Sequence, residues 1–437
     1  MENPVTAVAL CAVGAEKAVS NELRKLPVLS DLKNEAQDIK VEESLYGRVR
    51  FKTNIRGLYK TLIGLRAADR VLLEAAVFKA YNFDDLFEGT AAIAWEQIIP
   101  KGMGLKVTKV RTNRSLLKAE TSIQAVVHKA AAQRLCDKYK VNRLPEPAMI
   151  TRLNNEDELK TEPVKTADIR VYIEKDIVSL LVDLSGDPLF KRGYRSEGGA
   201  APLRETIAAS MLLLSGWKRK YPLYDPFCGS GTILIEAVMY AWDMAPGLGR
   251  DFTLRHLLIA DNETEQMVRE NFRSRIDFSR IVRIAGSDGD LRSVSIAVSN
   301  VARLRDIAEG RKPQRGIRSV DSCALGIDIK NIPMKDAYPP FASHETVPQS
   351  FEPNSQTPSQ SGFIVTNPPY GKRLGDQYMA EELYREMAGL ASRFPGWKLV
   401  LITDHSGFES FYGKRADSCR EINSGAIPSY FFQYELL

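Results

Sequence analysis

The feature that most constrains the fold is a glycine-rich turn between an apolar run and a helical pattern. It lies in "YPLYDPFCGSGTILIEAVMYAW", residues 221–242, where apolar residues lead to Asp225 and glycines at 229 and 231 precede a helix that begins at Thr232. Glycine permits backbone torsions that other residues avoid, and a helix start presents unpaired N–H groups with a positive dipole end. The pattern predicts a strand–turn–helix unit of an α/β sheet, in which ligands bind at the carboxyl ends of strands.

Three classes of ligand use turns of this kind. A Walker phosphate loop needs Gly-Lys-Ser/Thr, and no lysine follows Gly231. A dinucleotide turn needs G-x-G-x-x-G, and Leu234 stands where its third glycine belongs. A turn for S-adenosylmethionine (SAM) has an acidic residue just before G-x-G, which Asp225 supplies. The block therefore favours SAM, and the candidate contact residues here are Asp225, Phe227, Cys228, Gly229, Gly231 and Thr232.

Acidic residues also follow a second apolar stretch. "RIVRIAGSDGDLRSVSIAVSNVARL", residues 280–304, predicts a strand followed by a helix. Asp288 is placed to accept hydrogen bonds from ribose hydroxyls, whereas Asp290 fits a helix cap. A third acid should hold the adenine amine. We expect Asp328 in this role, with Asp321 as the weaker rival.

The stretch "IVTNPPYGKRL", residues 364–374, sends β-forming residues into an Asn-Pro-Pro-Tyr turn. A nucleobase amine is a poor nucleophile because its lone pair is delocalised, so hydrogen-bond acceptors for its N–H groups would assist methylation. Asn367 Oδ1 and the rigidly held carbonyl of Pro368 are such acceptors, and Tyr370 can stack on the base. The candidate catalytic residues are Asn367, Pro368, Pro369 and Tyr370. A proline-stiffened turn is the alternative for this motif by itself.

The N-terminal half alternates short strands and helices, which indicates α+β units; residues 44–53, for example, predict one strand. Residues 101–118 contain six Lys or Arg and no acid, on a predicted strand and turn. They could hold an RNA backbone or form a solvated charged face. Residues 187–205 predict a connector whose arginines could also contact phosphate. The RNA-binding candidates are Lys106, Lys109, Arg111, Arg114, Arg192 and Arg195.

Composition narrows the class of protein. A chain of 437 residues suggests about three domains. Neither a signal peptide nor a run of 18 uncharged apolar residues is found, so we expect no membrane segment. The five cysteines are scattered without a CxxC pair, which predicts no metal and a reduced, cytoplasmic setting. The net charge of +5 mildly favours polyanionic partners. Residues 337–362, rich in Pro, Ser and Gln, predict a disordered loop.

"DPFCGSGTILIEA", "GSDGD" and "TNPPYGKRLGD", in that order, resemble the THUMP-containing methyltransferases that modify guanine N2 in RNA. "DLSGDPLFKRGYR" and "EINSGAIPSYFFQYEL" are similar to the family's linker and closing hairpin, so the resemblance covers nearly the whole chain. It implies an α/β fold in which a C-terminal Rossmann-like SAM-dependent sheet follows an N-terminal α+β ferredoxin-like/THUMP region. The implied domains are a ferredoxin-like unit (1–65), a THUMP RNA-binding domain (66–165), a hairpin and linker (166–200) and a methyltransferase domain (201–437).

The resemblance also implies a function. The expected activity is SAM-dependent N2-methylation of a guanine in RNA, with 23S ribosomal RNA as the first expectation. A tRNA guanine-N2 methyltransferase and an N6-adenine methyltransferase remain alternatives, although the N-terminal half argues against DNA and protein substrates. A non-catalytic RNA-binding module would require loss of the glycine turn or of Asn-Pro-Pro-Tyr, and both are intact. The oligomeric state stays open.

Overall fold

Two seven-stranded sheets form the protein, one in each half of the chain. The computed structural model describes residues 4–26, 38–146, 164–195, 203–311, 326–341, 361–369, 377–423 and 428–437. Most of the predicted loop at 337–362 lies outside these ranges, as do Asp321 and Tyr370. None of the described helices is both long and apolar enough to cross a bilayer.

The N-terminal sheet has the strand order β2-β3-β1-β4-β7-β6-β5. Neighbouring strands are antiparallel except β5 and β6, which are parallel. The strands are β1 (Val5–Cys11), β2 (Ile39–Leu45), β3 (Arg48–Thr53), β4 (Ala68–Lys79), β5 (Gly104–Asn113), β6 (Thr166–Glu174) and β7 (Ile177–Asp183). The helices are α1 (Glu16–Lys25), α2 (Ile55–Gly64), α3 (Phe83–Ala91) and α4 (Glu120–Tyr139).

The prediction of a single strand at residues 44–53 is wrong. The chain turns back at Tyr46 and Gly47, and β2 and β3 pair as a hairpin. Gly47 has φ +68°, a torsion that favours glycine and permits this tight reversal. Farther along, β4 pairs with both β1 and β7, so the sheet is continuous across residue 65. The domain boundaries given above remain predictions.

The C-terminal sheet has the order β10-β9-β8-β11-β12-β14-β13. Its first five strands are parallel, and β14 is antiparallel to both β12 and β13. The chain order reverses between β8 and β11, and such a switch point leaves a crevice outside the strand ends. The strands are β8 (Leu223–Asp225), β9 (Ile284–Asp288), β10 (Ile327–Asn331), β11 (Phe363–Thr366), β12 (Lys398–Thr403), β13 (Ser418–Glu421) and β14 (Tyr430–Glu435).

Helices cover both faces of this second sheet. They are α5 (Glu205–Ser215), α6 (Thr232–Ala241), α7 (Asn262–Ser274), α8 (Leu291–Ala308), α9 (Gln377–Met387), α10 (Leu390–Arg393) and α11 (Phe408–Tyr412). Successive strand residues alternate between the two apolar layers, as a period of two requires. Leu223 packs with α5, α6 and α8, whereas Tyr224 packs on the opposite side with residues of α9 to α11. The parallel sheet is therefore buried on both faces.

The two halves pack against each other through one shared apolar core. The amide of Gly247 donates to the carbonyl of Ile63 at 2.8 Å, and a Cβ at Gly247 would lie 2.7 Å from Ile63 Cα. Arg66 Nη2 donates to the carbonyl of Met244 at 2.7 Å. Such close backbone contacts fix the N-terminal sheet relative to the C-terminal one.

Candidate functional site

The glycine turn has the geometry that the sequence predicts. Gly229 and Gly231 have φ values of +53° and +80°. A Cβ at Gly231 would meet Ala297 Cβ at 3.1 Å, so α8 packs directly behind the turn. A Cβ at Gly229 would meet nothing nearer than the carbonyl of Phe227 at 4.0 Å. The front of the turn is therefore open, and its backbone can be approached closely by a ligand.

Asp225 ends β8 beside this turn and is 1% exposed. Its Oδ1 accepts hydrogen bonds from Thr366 Oγ1 at 2.6 Å and from the amide of Phe227 at 3.1 Å. Burial raises the pKa of Asp225 to about 7, against the lowering effect of these two hydrogen bonds; the nearby Asp288 carboxylate adds to the rise. The strand end thus holds a carboxyl group that can gain or lose a proton near neutral pH.

Asp288 ends β9 and joins its strand end to the glycine turn. Oδ2 accepts from the amide of Gly229 at 2.9 Å, and Oδ1 accepts from the amide of Asp290 at 2.9 Å. Burial raises the pKa of Asp288, although both backbone hydrogen bonds lower it. Asp290 caps α8 by accepting from the amides of Arg292 and Ser293, as its position predicts. The second lone pair of each Asp288 oxygen stays available to a ligand.

Two other candidate residues of the turn, Cys228 and Thr232, are buried. The amide of Cys228 donates to the carbonyl of Ser287 at 2.9 Å, and burial raises the pKa of the Cys228 thiol. Thr232 starts α6 and receives a hydrogen bond on Oγ1 from Arg195 Nη2 at 2.8 Å. In the ranges given above, no group of three His, Cys, Asp or Glu side chains is arranged to hold a metal ion.

Asn367 follows β11 at the switch point. It is 7% exposed, and its Oδ1 has no hydrogen-bond donor among the described residues. Pro368 is buried and Pro369 is half-buried. A buried acceptor without a donor costs about 1–3 kcal/mol. A ligand N–H group at this position would remove that cost.

Asp328, predicted as the third acid, does not lie at the end of its strand. Asp328 is the second residue of β10 and pairs in register with Ala285, three residues before Asp288. It therefore lies roughly 10 Å from the edge where the other groups meet, and it forms an ion pair with Lys330 at 2.9 Å.

Asn331 occupies the strand end instead, in register with Asp288. Its Nδ2 donates to the carbonyl of Asp288 at 2.8 Å, and its side-chain oxygen has no donor among the described residues. Asn331 is not acidic, so the expectation of a third acid did not include it. The sequence does contain a signal for Asn331: it is the last polar residue before Ile332-Pro333, and a proline at this point indicates that the strand ends just before it.

The prediction that Arg192 contacts RNA is also wrong. Arg192 is 3% exposed, forms an ion pair with Glu236 at 3.3 Å, and donates to the carbonyl of Leu189 at 2.7 Å. Arg195 is largely buried too, with Glu205 at 3.3 Å and Thr232 as partners. Both arginines fasten the connector to the C-terminal half, so neither presents its guanidinium to a backbone phosphate.

The other basic candidates lie on β5, an edge strand of the N-terminal sheet. The side chains of Lys106 and Arg111 are 50% and 59% exposed, and Arg114 is exposed just after the strand. A bulge between Val107 and Lys109 shifts the pleat by one residue. Residues 106 and 111 can therefore both point outward although they are five positions apart.

Comparison with known proteins agrees with this geometry. The family model described as "RMKL-like, methyltransferase domain" matches residues 192–309 and 349–430, and the "RlmL ferredoxin-like domain" matches residues 6–72. "Putative RNA methyltransferase YpsC" of Bacillus subtilis is 30% identical over 98% of this chain and 95% of its own length. The solved structure described as "SMU.472, a putative methyltransferase complexed with SAH" is 29% identical, has a TM-score of 0.75 and covers 100% of this chain and 99% of its own.

A second relative is longer. "Ribosomal RNA large subunit methyltransferase K/L" of Marinomonas is 28% identical over 98% of this chain but only 52% of its own length. The chain thus spans about half the length of the K/L relatives. The open glycine turn and its carboxylates suit SAM, and the family resemblance inferred from the three motifs is confirmed. The protein belongs to the RMKL-like methyltransferase family, whose cofactor is S-adenosylmethionine.

Proposed function

We propose that this protein methylates the exocyclic N2 of a guanine in large-subunit ribosomal RNA. The observation that carries the proposal is the buried Oδ1 of Asn367, which has no donor among the described residues. Asn367 directly follows Thr366, the last residue of β11, whose side chain donates a hydrogen bond to Asp225. A primary amine is the complement that such an acceptor needs. The names of the K/L relatives favour ribosomal RNA, and because this chain is about half their length, their substrate is only proposed for it.

Bound SAM would supply an electrophilic methyl group on its sulfonium. In our proposal Asp225, the backbone of Gly229 and Gly231, and Asp288 hold the cofactor. Phe227, Cys228 and Thr232 complete the proposed cofactor site. Asn331 replaces Asp328 as the side chain at the third strand end.

The chemical role of Asn367 is to orient the target amine. Its Oδ1 and the carbonyl of Pro368 accept hydrogen bonds from the two N–H groups, which favours a pyramidal nitrogen with its lone pair directed away from the ring. Positioning of this kind contributes much of a rate enhancement. The amine loses its proton after transfer, so no strong base is required in the ground state. Tyr370 remains the predicted stacking residue.

The N-terminal half would position the RNA. Its exposed basic strand β5 offers Lys106, Lys109, Arg111 and Arg114 to backbone phosphates. The division of this half into ferredoxin-like and THUMP units belongs to the proposal. A ribosomal RNA substrate also implies action in the cytoplasm.

The test is methyl transfer from radiolabelled SAM to ribosomal RNA and to tRNA, each purified from cells that lack the protein, followed by nucleoside mass spectrometry. We expect N2-methylguanosine in the ribosomal RNA only, and none with the Asn367→Ala variant. If the label appeared only in tRNA, the substrate would be tRNA and not ribosomal RNA. N6-methyladenosine would contradict the guanine assignment.

A further inference from the structure

A cleft between the two halves has no part in the methyl-transfer site. It encloses about 540 Å³, a volume typical of small-ligand sites. Helix α1 forms one wall, and the end of α6 with the segment before β8 forms another. Tyr240, in the wall, is eight residues beyond Thr232 on α6, so it lies about 12 Å along the helix from the glycine turn. We call this space the interdomain cleft.

Six basic side chains line the interdomain cleft, and both halves contribute. They are Lys17, Lys25 and Arg66 from the N-terminal half, and Arg219, Arg275 and Arg420 from the C-terminal half. The acidic residues in the lining are Glu22 and Asp243. The lining therefore carries a clear excess of positive charge.

The two acids leave most of this charge unneutralised. Asp243 is shared by Arg219 at 3.4 Å and Arg275 at 3.0 Å. Glu22 accepts from the backbone amides of Arg66 and Ala67 rather than from a basic side chain. Burial raises the pKa of Glu22, which lowers its tendency to carry a charge.

Four of the six cations have no carboxylate within ion-pair distance in the part of the chain that the structure describes: Lys17, Lys25, Arg66 and Arg420. Arg66 is 7% exposed, and its Nη1 has no acceptor among the described residues, while Nη2 donates to the carbonyls of Met244 and Met239. An unneutralised guanidinium in such a place raises the local positive potential, and concave walls of low polarisability focus it.

We propose that the interdomain cleft is a second binding site, specific for phosphate groups. Guanidinium and ammonium groups converging from several directions suit the oxygens of a phosphate or a short run of phosphates. Two ligands carry that chemistry, the RNA backbone and a free polyphosphate or nucleotide. The site depends on the charge and shape of the cleft and not on the proposed guanine methylation.

The decisive variant is Lys17→Ala with Lys25→Ala. Both side chains are exposed on α1, where alanine preserves the helix. The matched control is Lys40→Ala with Lys79→Ala, which removes two exposed lysines of the same half outside the cleft. Thermal melting and SAM binding, measured for each, report whether the fold and the cofactor site are intact.

Binding of inorganic triphosphate and of a short RNA is then measured against salt concentration. If the RNA backbone occupies the cleft, the slope of log affinity against log salt falls in magnitude by about 2 in the cleft variant, about one unit for each lysine, and is unchanged in the control. If a free polyphosphate occupies it, triphosphate affinity falls at least about tenfold while the RNA slope is unchanged.

The proposal is overturned if the cleft variant and the control bind both ligands equally. If the wild-type protein bound triphosphate in the cleft but transferred no methyl group to RNA, the proposed function would be contradicted and the cleft proposal would stand. Conversely, if the wild-type protein formed N2-methylguanosine but the cleft bound neither ligand, only the proposed function would stand.

Discussion

Thr366 Oγ1 donates a hydrogen bond to Asp225 Oδ1 at 2.6 Å, which joins the strand before Asn-Pro-Pro-Tyr to the strand before the glycine turn. Both side chains are buried. The two residues are 141 positions apart, and this side-chain contact adds to the backbone pairing of β8 with β11 at the switch point. We expect this hydrogen bond to help fix the position of the proposed acceptor for the amine relative to the proposed cofactor turn.

Thr366→Val removes this hydrogen bond with little change in shape. We expect a loss of about 1–3 kcal/mol in the free energy of unfolding, because Asp225 loses a buried donor. Thr403→Val is the control, since Thr403 is also fully buried at the end of a neighbouring strand, with Tyr384 OH at 3.0 Å from its Oγ1. Both variants should lose stability on urea unfolding, and Thr366→Val alone should lower the affinity for SAM. Equal SAM affinities would contradict the bridging role.

The raised pKa of Asp225 predicts a pH dependence of stability. Between its usual value and about 7, the folded protein holds a proton that the unfolded chain has released, so the free energy of unfolding falls as pH rises through this window. Between pH 5 and pH 7 the fall attributable to this group is at most about 2.7 kcal/mol. Urea unfolding of the wild type and of Asp225→Asn at each pH should show it as a difference in slope. If the free energy of unfolding varied with pH in the same way for both proteins, the pKa of Asp225 would not be raised in the folded state.

Asn367→Ala should abolish turnover without weakening the fold. The variant removes the side-chain amide, whose buried oxygen has no donor among the described residues, so the loss of that oxygen relieves a cost in the folded state. Loss of at least about 100-fold in kcat is expected, as for other positioned polar groups in active sites, with SAM affinity unchanged. Isothermal titration with SAM and thermal melting provide the check. A large fall in melting temperature would instead indicate that the motif is only a structural turn.

Asn331 and Asp328 give a matched pair on one strand. Asn331→Ala should weaken SAM binding at least severalfold, because its side chain lies at the strand end beside Asp288. Asp328→Ala should leave SAM affinity within about twofold, since it removes only a surface ion pair. Titration of both variants with SAM decides between the two residues. If Asp328→Ala weakened SAM binding more than Asn331→Ala did, Asp328 would be the cofactor contact, as the sequence predicts.

Sequence patterns predicted which residues end β8, β9 and β11 better than they predicted which residue ends β10. The glycine turn, Asp288 and Asn367 could be predicted because each is a residue type with a distinctive role next to a clear strand or helix signal. Asp328 lies inside β10 because the strand continues three residues beyond it, and strand ends are hard to place from one sequence. In β2 and β3, the apolar alternation continued through a turn that only the torsion of Gly47 reveals.

Charge was the least reliable guide. A basic residue in a glycine-rich connector has the same composition whether it faces RNA or a buried acid, and only tertiary structure places Glu236 beside Arg192. The same limitation hid the interdomain cleft, since its lining residues are spread along the chain from position 17 to position 420. Long-range pairing of this kind leaves no local pattern.

Arg192 supplies the sharpest test of that distinction. Arg192→Ala leaves Glu236 buried without its ion-pair partner, so we expect a loss of about 3–5 kcal/mol in the free energy of unfolding. Its neighbour Lys191 pairs with Asp187 in an exposed site, and Lys191→Ala should cost less than about 1 kcal/mol. The double variant Arg192→Met with Glu236→Leu should recover much of the lost stability, because neither charge then remains buried alone. Urea unfolding of the wild type and these three variants gives the differences in the free energy of unfolding. If Arg192→Ala cost no more than Lys191→Ala and instead reduced the salt dependence of RNA binding, Arg192 would be a phosphate contact after all.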